Sequence, residues 1–130
     1  MPLMASSIAA ACHSAYMTVH EELGRGPIPV WAFLDEHRKE NCMWSVLDRM
    51  QHPGGAPEAH NRWVQWMESR GWRCGPQNTM KKTHPHMVPF HELSQEAKMH
   101  GYLFQSIVDA LVPYAEQVVD ESWLLQEGVA

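Results

Sequence analysis

Glycine and proline set the strongest limits on what this chain can become. They fall in clusters: Gly24, Gly26, Pro27 and Pro29, then Pro53, Gly54, Gly55 and Pro57, then Gly71, Gly75, Pro76, Pro85 and Pro89, and finally Pro113. Proline lacks the amide hydrogen that a helix interior needs, and glycine supplies the left-handed backbone that ends many helices. Long helices are therefore confined to four windows between the clusters. In the first, Ile8, Cys12, Ala15, Val19 and Leu23 recur at three- and four-residue steps, which predicts a helix from about Ser7 to Leu23 capped by Ser6 or Ser7. A second helical segment follows Pro29, with Trp31, Leu34, Met43, Leu47 and Met50 on its apolar stripe. The mixed charges of Asp35, Glu36, Arg38, Lys39 and Glu40 form its solvated face. A third begins at Pro57, a favourable first position, carries Ala59, Trp63, Trp66 and Met67 on one side, and stops at Gly71. A fourth starts with Ser94 as cap and carries Ala97, Phe104, Ile107, Val108 and Leu111.

Between the third and fourth windows the prolines forbid helix. Two short extended pieces, near Trp72–Cys74 and Met87–Phe90, are the candidates for a small hairpin. The expected architecture is mainly α: a compact helical domain of about four helices, with a long Pro-rich ordered loop and at most a small β-hairpin. Residues 1–112 form the domain. Residues 113–130 form an acidic helical tail that packs on the body or on a partner subunit.

Composition narrows the function. A chain of 130 residues reads as one domain. The formal charge of -5 excludes a general binder of DNA or RNA, which needs a strongly basic face. Three widely spaced cysteines, Cys12, Cys42 and Cys74, suit a reducing cytoplasm better than a disulfide framework. The start, MPLMASSIAAACHS, has no basic leader region and reads as helix. No apolar run approaches the ~20 residues that span a bilayer, so no membrane role is expected.

One stretch reverses the sign of the chain. Arg62–Phe90 holds Trp63, Trp66 and Trp72, and also Arg62, Arg70, Arg73, Lys81 and Lys82, against the single acid Glu68. Aromatic faces beside cations suit a flat, anionic guest. The candidate ligand-binding residues are Trp72, Arg70, Arg73, Lys81 and Lys82, with His84 and Trp63 beside them. Tyr16 and His20, four apart on the first helix, with His13 three before Tyr16, would supply a second wall. For Trp63 and Trp66 core packing competes with this role. Arg62 reads as a surface residue, and His84 as a donor to a backbone carbonyl of its own loop. His84, His86 and His91, with Cys74 or His60, do not match a recognised zinc spacing, so no metal is expected. Glu58 with His60, or His91 with Glu92, could serve acid–base chemistry, but there is no glycine-rich phosphate loop and no nucleophile elbow. Cys74 beside Arg73 lacks a defined base. The expectation is a non-catalytic protein without a cofactor.

The same stretch carries a resemblance. Trp63, Gly71-Trp72-x-x-Gly75, Lys81-Lys82-x-His84-Pro85-x-x-Val88-Pro89-Phe90-x-Glu92-Leu93 and Lys98 together resemble the RyR domain, the repeat of ryanodine receptors that also occurs as small stand-alone proteins in bacteria and phages. Cys12-His13 on the opening helix, the segment Pro57–His60 and the run Leu103-Phe104-x-x-Ile107-Val108 extend it to about Ile8–Leu111. The resemblance implies a mainly helical fold with a long ordered loop, and a role in binding nucleotide-like ligands. It implies capture of a cyclic nucleotide or ADP-ribose-type signal, and for a phage copy in the host bacterial cytoplasm, sequestration that blocks immune signalling. The sequence departs from the family where Cys74 replaces a common aromatic residue, and where His100-Gly101 stands in place of an acidic position. Two alternatives stay open: a protein-interaction module using Trp123, Leu124 and Leu125, and a small hydrolase of the same signals. A homodimer through the tail is expected with the first reading.

Overall fold

The structure, a computed structural model, describes residues 3–115. Four helices account for most of it: α1 (Ala5–Glu22), α2 (Glu36–Gln51), α3 (Ala56–Ser69) and α4 (Gln95–Leu111). Between α3 and α4 lie two two-residue strands, β1 (Arg73–Cys74) and β2 (Thr83–His84). This is the mainly α architecture that the glycine and proline clusters impose. The acidic tail expected after Pro113 falls, beyond Ala115, outside the described residues, as do Trp123, Leu124 and Leu125.

Local chemistry explains where each helix starts. The carboxylate of Asp35 accepts from the Arg38 amide at 2.9 Å and caps α2. The Ser94 hydroxyl accepts from the Ala97 amide at 3.1 Å and caps α4, as read from the sequence. Proline in the first turn of α3 follows Gly55. α1 differs from expectation. It begins at Ala5, ahead of the expected caps Ser6 and Ser7, and the cap residue Met4 uses no side-chain bond. Ala5 is fully buried, so packing holds that first turn in place. The second segment is also split. Trp31–Phe33 form a 3₁₀ turn, the chain straightens at Leu34, and only then does α2 start. Gly71, at φ +88°, ends α3 in the left-handed backbone that glycine tolerates, and the Trp72 amide turns back to Met67 at 3.0 Å.

The loop is not a hairpin. β1 and β2 pair in parallel, Arg73 opposite Thr83 and Cys74 opposite His84. A tight reversal at 78–83 makes this arrangement, with Asn78 and Thr83 exchanging both backbone bonds at 3.1 and 3.0 Å. The second extended piece therefore lies at Thr83–His84, and Met87 is instead buried in the core.

α1 packs on α2 and α4, and α3 packs on α2 and α4. Ile8, Val46, Leu47, Met67 and Val108 are fully buried, and Trp44 stacks on Trp66 at 5.0 Å between ring centres. Close packing of this kind, with apolar area removed from water, is the main stabilising contribution. Two ion pairs tie the helices at one end. Arg62 of α3 grips Asp48 of α2 through two bonds of 2.8 and 3.0 Å, and Arg49 of α2 grips Asp109 of α4 through two of 2.8 and 2.7 Å. The Leu3 amide donates to the Tyr114 carbonyl at 2.6 Å, which brings the two ends of the described chain side by side. Among the described residues, no helix is long and apolar enough to cross a membrane.

Candidate functional site

A cavity of about 680 Å³ opens between the helices and the Pro-rich loop. Helical spacing builds two of its walls. On α1, His13, Tyr16 and His20 lie at steps of three and four; on α2, Arg38, Asn41 and Ser45 repeat that spacing. α3 adds His60 and Trp63, the loop adds His84, His86 and Phe90, and α4 adds His100, Phe104 and Gln105.

Hydrogen bonds fix several of these rings. His13 Nε2 lies 2.7 Å from the Pro29 carbonyl, and His60 Nε2 lies 2.7 Å from the Val88 carbonyl, so each imidazole donates there. The first contact holds the link after α1 across the cavity, and the second ties α3 to the loop. Trp63 Nε1 donates to Asn41 Oδ1 at 2.8 Å, and its ring meets His84 edge-on at 5.1 Å. Tyr16 contacts His20 at 5.3 Å and His100 at 4.8 Å, which joins α1 to α4.

The electrostatics differ from those expected of a cationic loop. Two cavity groups, Asp48 and Arg49, are already neutralised in the bidentate pairs with Arg62 and Asp109. The Arg49 guanidinium holds the Asp109 carboxyl below the usual carboxylate range. Arg38 is the other arginine in the wall. Among the described residues its ion pair is with Asp35, at 3.5 Å, an exposed pair one turn apart. Such pairs contribute little, so Arg38 can take up another anion at small cost. Six of the nine histidines line the cavity, which makes imidazole its dominant polar group. Burial, together with neighbouring positive groups, pushes His84 down to about 4. Burial also lowers His86 and His100. The His84 Nδ1 atom accepts from the His86 amide at 3.0 Å, so the proton of the neutral ring sits on Nε2. Burial pushes the Tyr16 hydroxyl up, and Arg38 partly opposes that rise. Three wall atoms, His20 Nδ1, His100 Nε2 and Gln105 Nε2, are enclosed without a hydrogen-bond partner among the described residues. Enclosed polar atoms of this kind are uncommon in folded proteins.

Of the residues singled out in the sequence, the structure brings His13, Tyr16, Trp63 and His84 together in this cavity. The others stand elsewhere. Trp72 is 6% exposed and stacks on His37 of α2 at 4.4 Å, with an interplanar angle of 11°, so it belongs to the core. Arg70 bonds Glu40 at 3.1 Å and lies over the Trp66 ring at 5.1 Å. Arg73 and Lys81 are exposed, and Lys82 Nζ donates to the Arg70 carbonyl at 3.0 Å. The basic turn and Trp72 therefore form no common pocket. His84 accepts a backbone amide rather than donating to a carbonyl. Arg62, expected at the surface, is held by Asp48. Among the described residues, no group of three His, Cys, Asp or Glu side chains could hold a metal ion.

His20, four residues from Tyr16, also lines the cavity, whereas Arg38, His86 and His100 carried no ligand-binding expectation from the sequence. A signal was present for Arg38. Arg38, Asn41, Ser45 and Asp48 form a polar stripe at helical spacing along α2, and a polar stripe flanked by buried Trp44, Val46 and Leu47 is not a solvated face.

The model of the RyR domain family matches residues 47–113, more than half of the chain. The protein belongs to the RyR domain family. No curated protein and no solved structure matches it. The RyR match takes in α3, the loop and α4, and hence Trp63, His84, His86 and His100. His13, Tyr16, His20 and Arg38, on the opposing wall, precede the matched span. The cavity of this RyR protein is thus completed by α1 and by the part of α2 that precedes the matched span.

Proposed function

We propose that this RyR domain protein captures a small nucleotide-derived molecule, of the cyclic-nucleotide or ADP-ribose type, and holds it intact in the central cavity. The observation that carries the reading is the pairing of aromatic walls with the half-exposed Arg38 around one open cleft of about 680 Å³. Small-molecule sites commonly measure about 300–1,000 Å³ and combine apolar walls with a few placed polar groups. A planar ring would lie against Trp63 and Tyr16, and a phosphate would reach Arg38, whose planar guanidinium suits such a partner.

The chemistry of the wall favours holding over cleavage. Burial pushes the thiols of Cys12 and Cys42 up to about 12, so neither is a thiolate at neutral pH. His84, pushed down to about 4, is too weak a base to activate water efficiently near neutrality. A protein that holds such a signal lowers its free concentration. In a phage-encoded setting, that would blunt an immune signal of the infected bacterium.

The test is a thermal-stability panel of ADP-ribose derivatives and cyclic oligonucleotides. A true ligand at a hundred times its dissociation constant stabilises by about 2.7 kcal/mol. Arg38→Gln and Trp63→Ala should remove that gain, whereas combined substitution of Arg73, Lys81 and Lys82 by Gln should preserve it. Mass spectrometry of the recovered ligand should show it unchanged. If no member of the panel stabilises the protein, the reading fails; if fragments are recovered, the protein is a hydrolase.

A further inference from the structure

Beside the main cavity lies a smaller chamber of about 320 Å³, walled by Tyr16, Gln77, His84, Pro85, His86, Ala97 and His100. All of these except Pro85 also line the main cavity, so the two spaces share a wall. At ~30 Å³ per water the chamber has room for about ten waters, enough for a phosphate or diphosphate group. Its polar surface consists of three imidazoles, a phenol and an amide, with no carboxylate in the wall itself.

We propose that this chamber is an anion subsite for a phosphate or diphosphate group, and that His86 and His100 take up protons as the group enters. The proposal rests on the ligand reading above, because it gives the captured molecule a second anchoring point beyond Arg38.

Three observations support it. His100 Nε2 is enclosed without a partner, so the wall already presents an unused polar atom. His84 is held in one form: its Nδ1 accepts the His86 amide, which leaves Nε2–H as a fixed neutral donor. That ring would lose its backbone bond on protonation, so near neutral pH it donates and stays uncharged. His86 and His100 have no such restraint, since no other described residue bonds their ring nitrogens.

The surrounding charges permit the exchange. His86, His37, His60 and Arg38 of α2 act on His84. His60, His100 and Glu96 act on His86, while Glu96, His20 and Arg25 act on His100. The one acid among these, Glu96, is engaged by Arg25 of the link after α1. Partial burial and mutual repulsion therefore favour the neutral form of His84, His86 and His100. An entering dianion reverses that balance, because an opposite charge within about 4–6 Å moves a titration midpoint by roughly 1–3 units. The ligand raises the midpoint, so binding strengthens as pH falls. A rise of one unit at one histidine makes the anion up to tenfold tighter below the free midpoint than above the bound one.

The experiment is a proton NMR titration of the histidine ring signals, with and without inorganic pyrophosphate. His86 and His100 are assigned by the signals that vanish in His86→Gln and His100→Gln. His52 and His91, both exposed, serve as internal controls. The expected result is a rise of at least one pH unit in the midpoints of His86 and His100, with His52 and His91 unmoved. Unmoved midpoints at His86 and His100, or equal shifts at all four rings, would overturn the proposal, the second because it marks surface adsorption. The outcome separates from that of the ligand panel. Stabilisation by a nucleotide without these shifts removes the chamber and keeps the cavity, and the shifts without nucleotide stabilisation do the reverse.

Discussion

Replacing Arg62 by alanine tests how the cavity floor is held. The Asp48 side chain is only 5% exposed, and its two oxygens receive the Arg62 bonds of 2.8 and 3.0 Å. Removing the guanidinium leaves a carboxylate out of water with no cation to face. Breaking a buried pair from one side costs about 3–5 kcal/mol. Arg62 keeps 29% side-chain exposure, and water entering there screens the orphaned charge, which places the expected loss near 3 kcal/mol. At an unfolding entropy of about 2.1 cal/mol/K per residue, each kcal/mol moves the midpoint of this chain by roughly 4 °C, so Arg62→Ala should lower Tm by about 11 °C. Urea titration and calorimetry both measure it. Replacing the pair together, Asp48→Leu with Arg62→Met, should recover most of the loss, since two apolar groups leave nothing unpaired. A loss below about 1 kcal/mol in Arg62→Ala, the range of exposed pairs, would refute the claim that this contact is buried and structural.

Other perturbations follow from the same structure. Trp72→Ala should cost about 3–5 kcal/mol in urea titration, as for a large core truncation, and leave the affinity for any cavity ligand unchanged; a lost affinity at full stability would return Trp72 to the site. Gly71→Ala and Gly101→Ala should have opposite signs. Gly71 sits at φ +88°, where alanine costs about 1–2 kcal/mol, whereas a methyl at Gly101 meets nothing within 4 Å inside α4 and should gain about 0.5–1 kcal/mol. Equal signs in thermal melts would contradict the backbone assignment. Acid should destabilise the protein through His84. Its midpoint is depressed from 6.5 unfolded to about 4 folded, so its stability contribution is complete above pH 6.5 and is lost as pH falls towards 4. His84→Gln should therefore flatten the fall in urea midpoint between pH 6.5 and 4.5; an unchanged slope would refute the assignment.

The helices were legible because their signals are local. Ser94, Pro57 and Gly71 mark boundaries within one turn of themselves, and the stripe from Ala97 to Leu111 needs no distant partner to be seen. Of the candidate binding residues, only some line the cavity. Trp63 and His84 sit in the loop-side wall, and Tyr16 and His13 keep helical spacing, so each carried a near-neighbour cue. The basic run is dispersed in the fold because charge density along a chain does not say what each charge meets. Arg70 is engaged by Glu40, thirty residues earlier, and Trp72 by His37, thirty-five residues earlier. Those encounters depend on the antiparallel packing of α2 and α3. The parallel strand pair was hidden for a similar reason: it follows from the reversal at Asn78–Thr83, whose exchange of backbone bonds has only a weak sequence signature.

The bond between the Leu3 amide and the Tyr114 carbonyl has an architectural consequence. A unit whose first and last described segments touch in this way has, in effect, a single stem. It can be spliced into a surface turn of another protein, or re-joined head to tail and reopened elsewhere, without stretching its helices apart. The same geometry lets copies be strung along a longer polypeptide like beads, each keeping its own hollow interior.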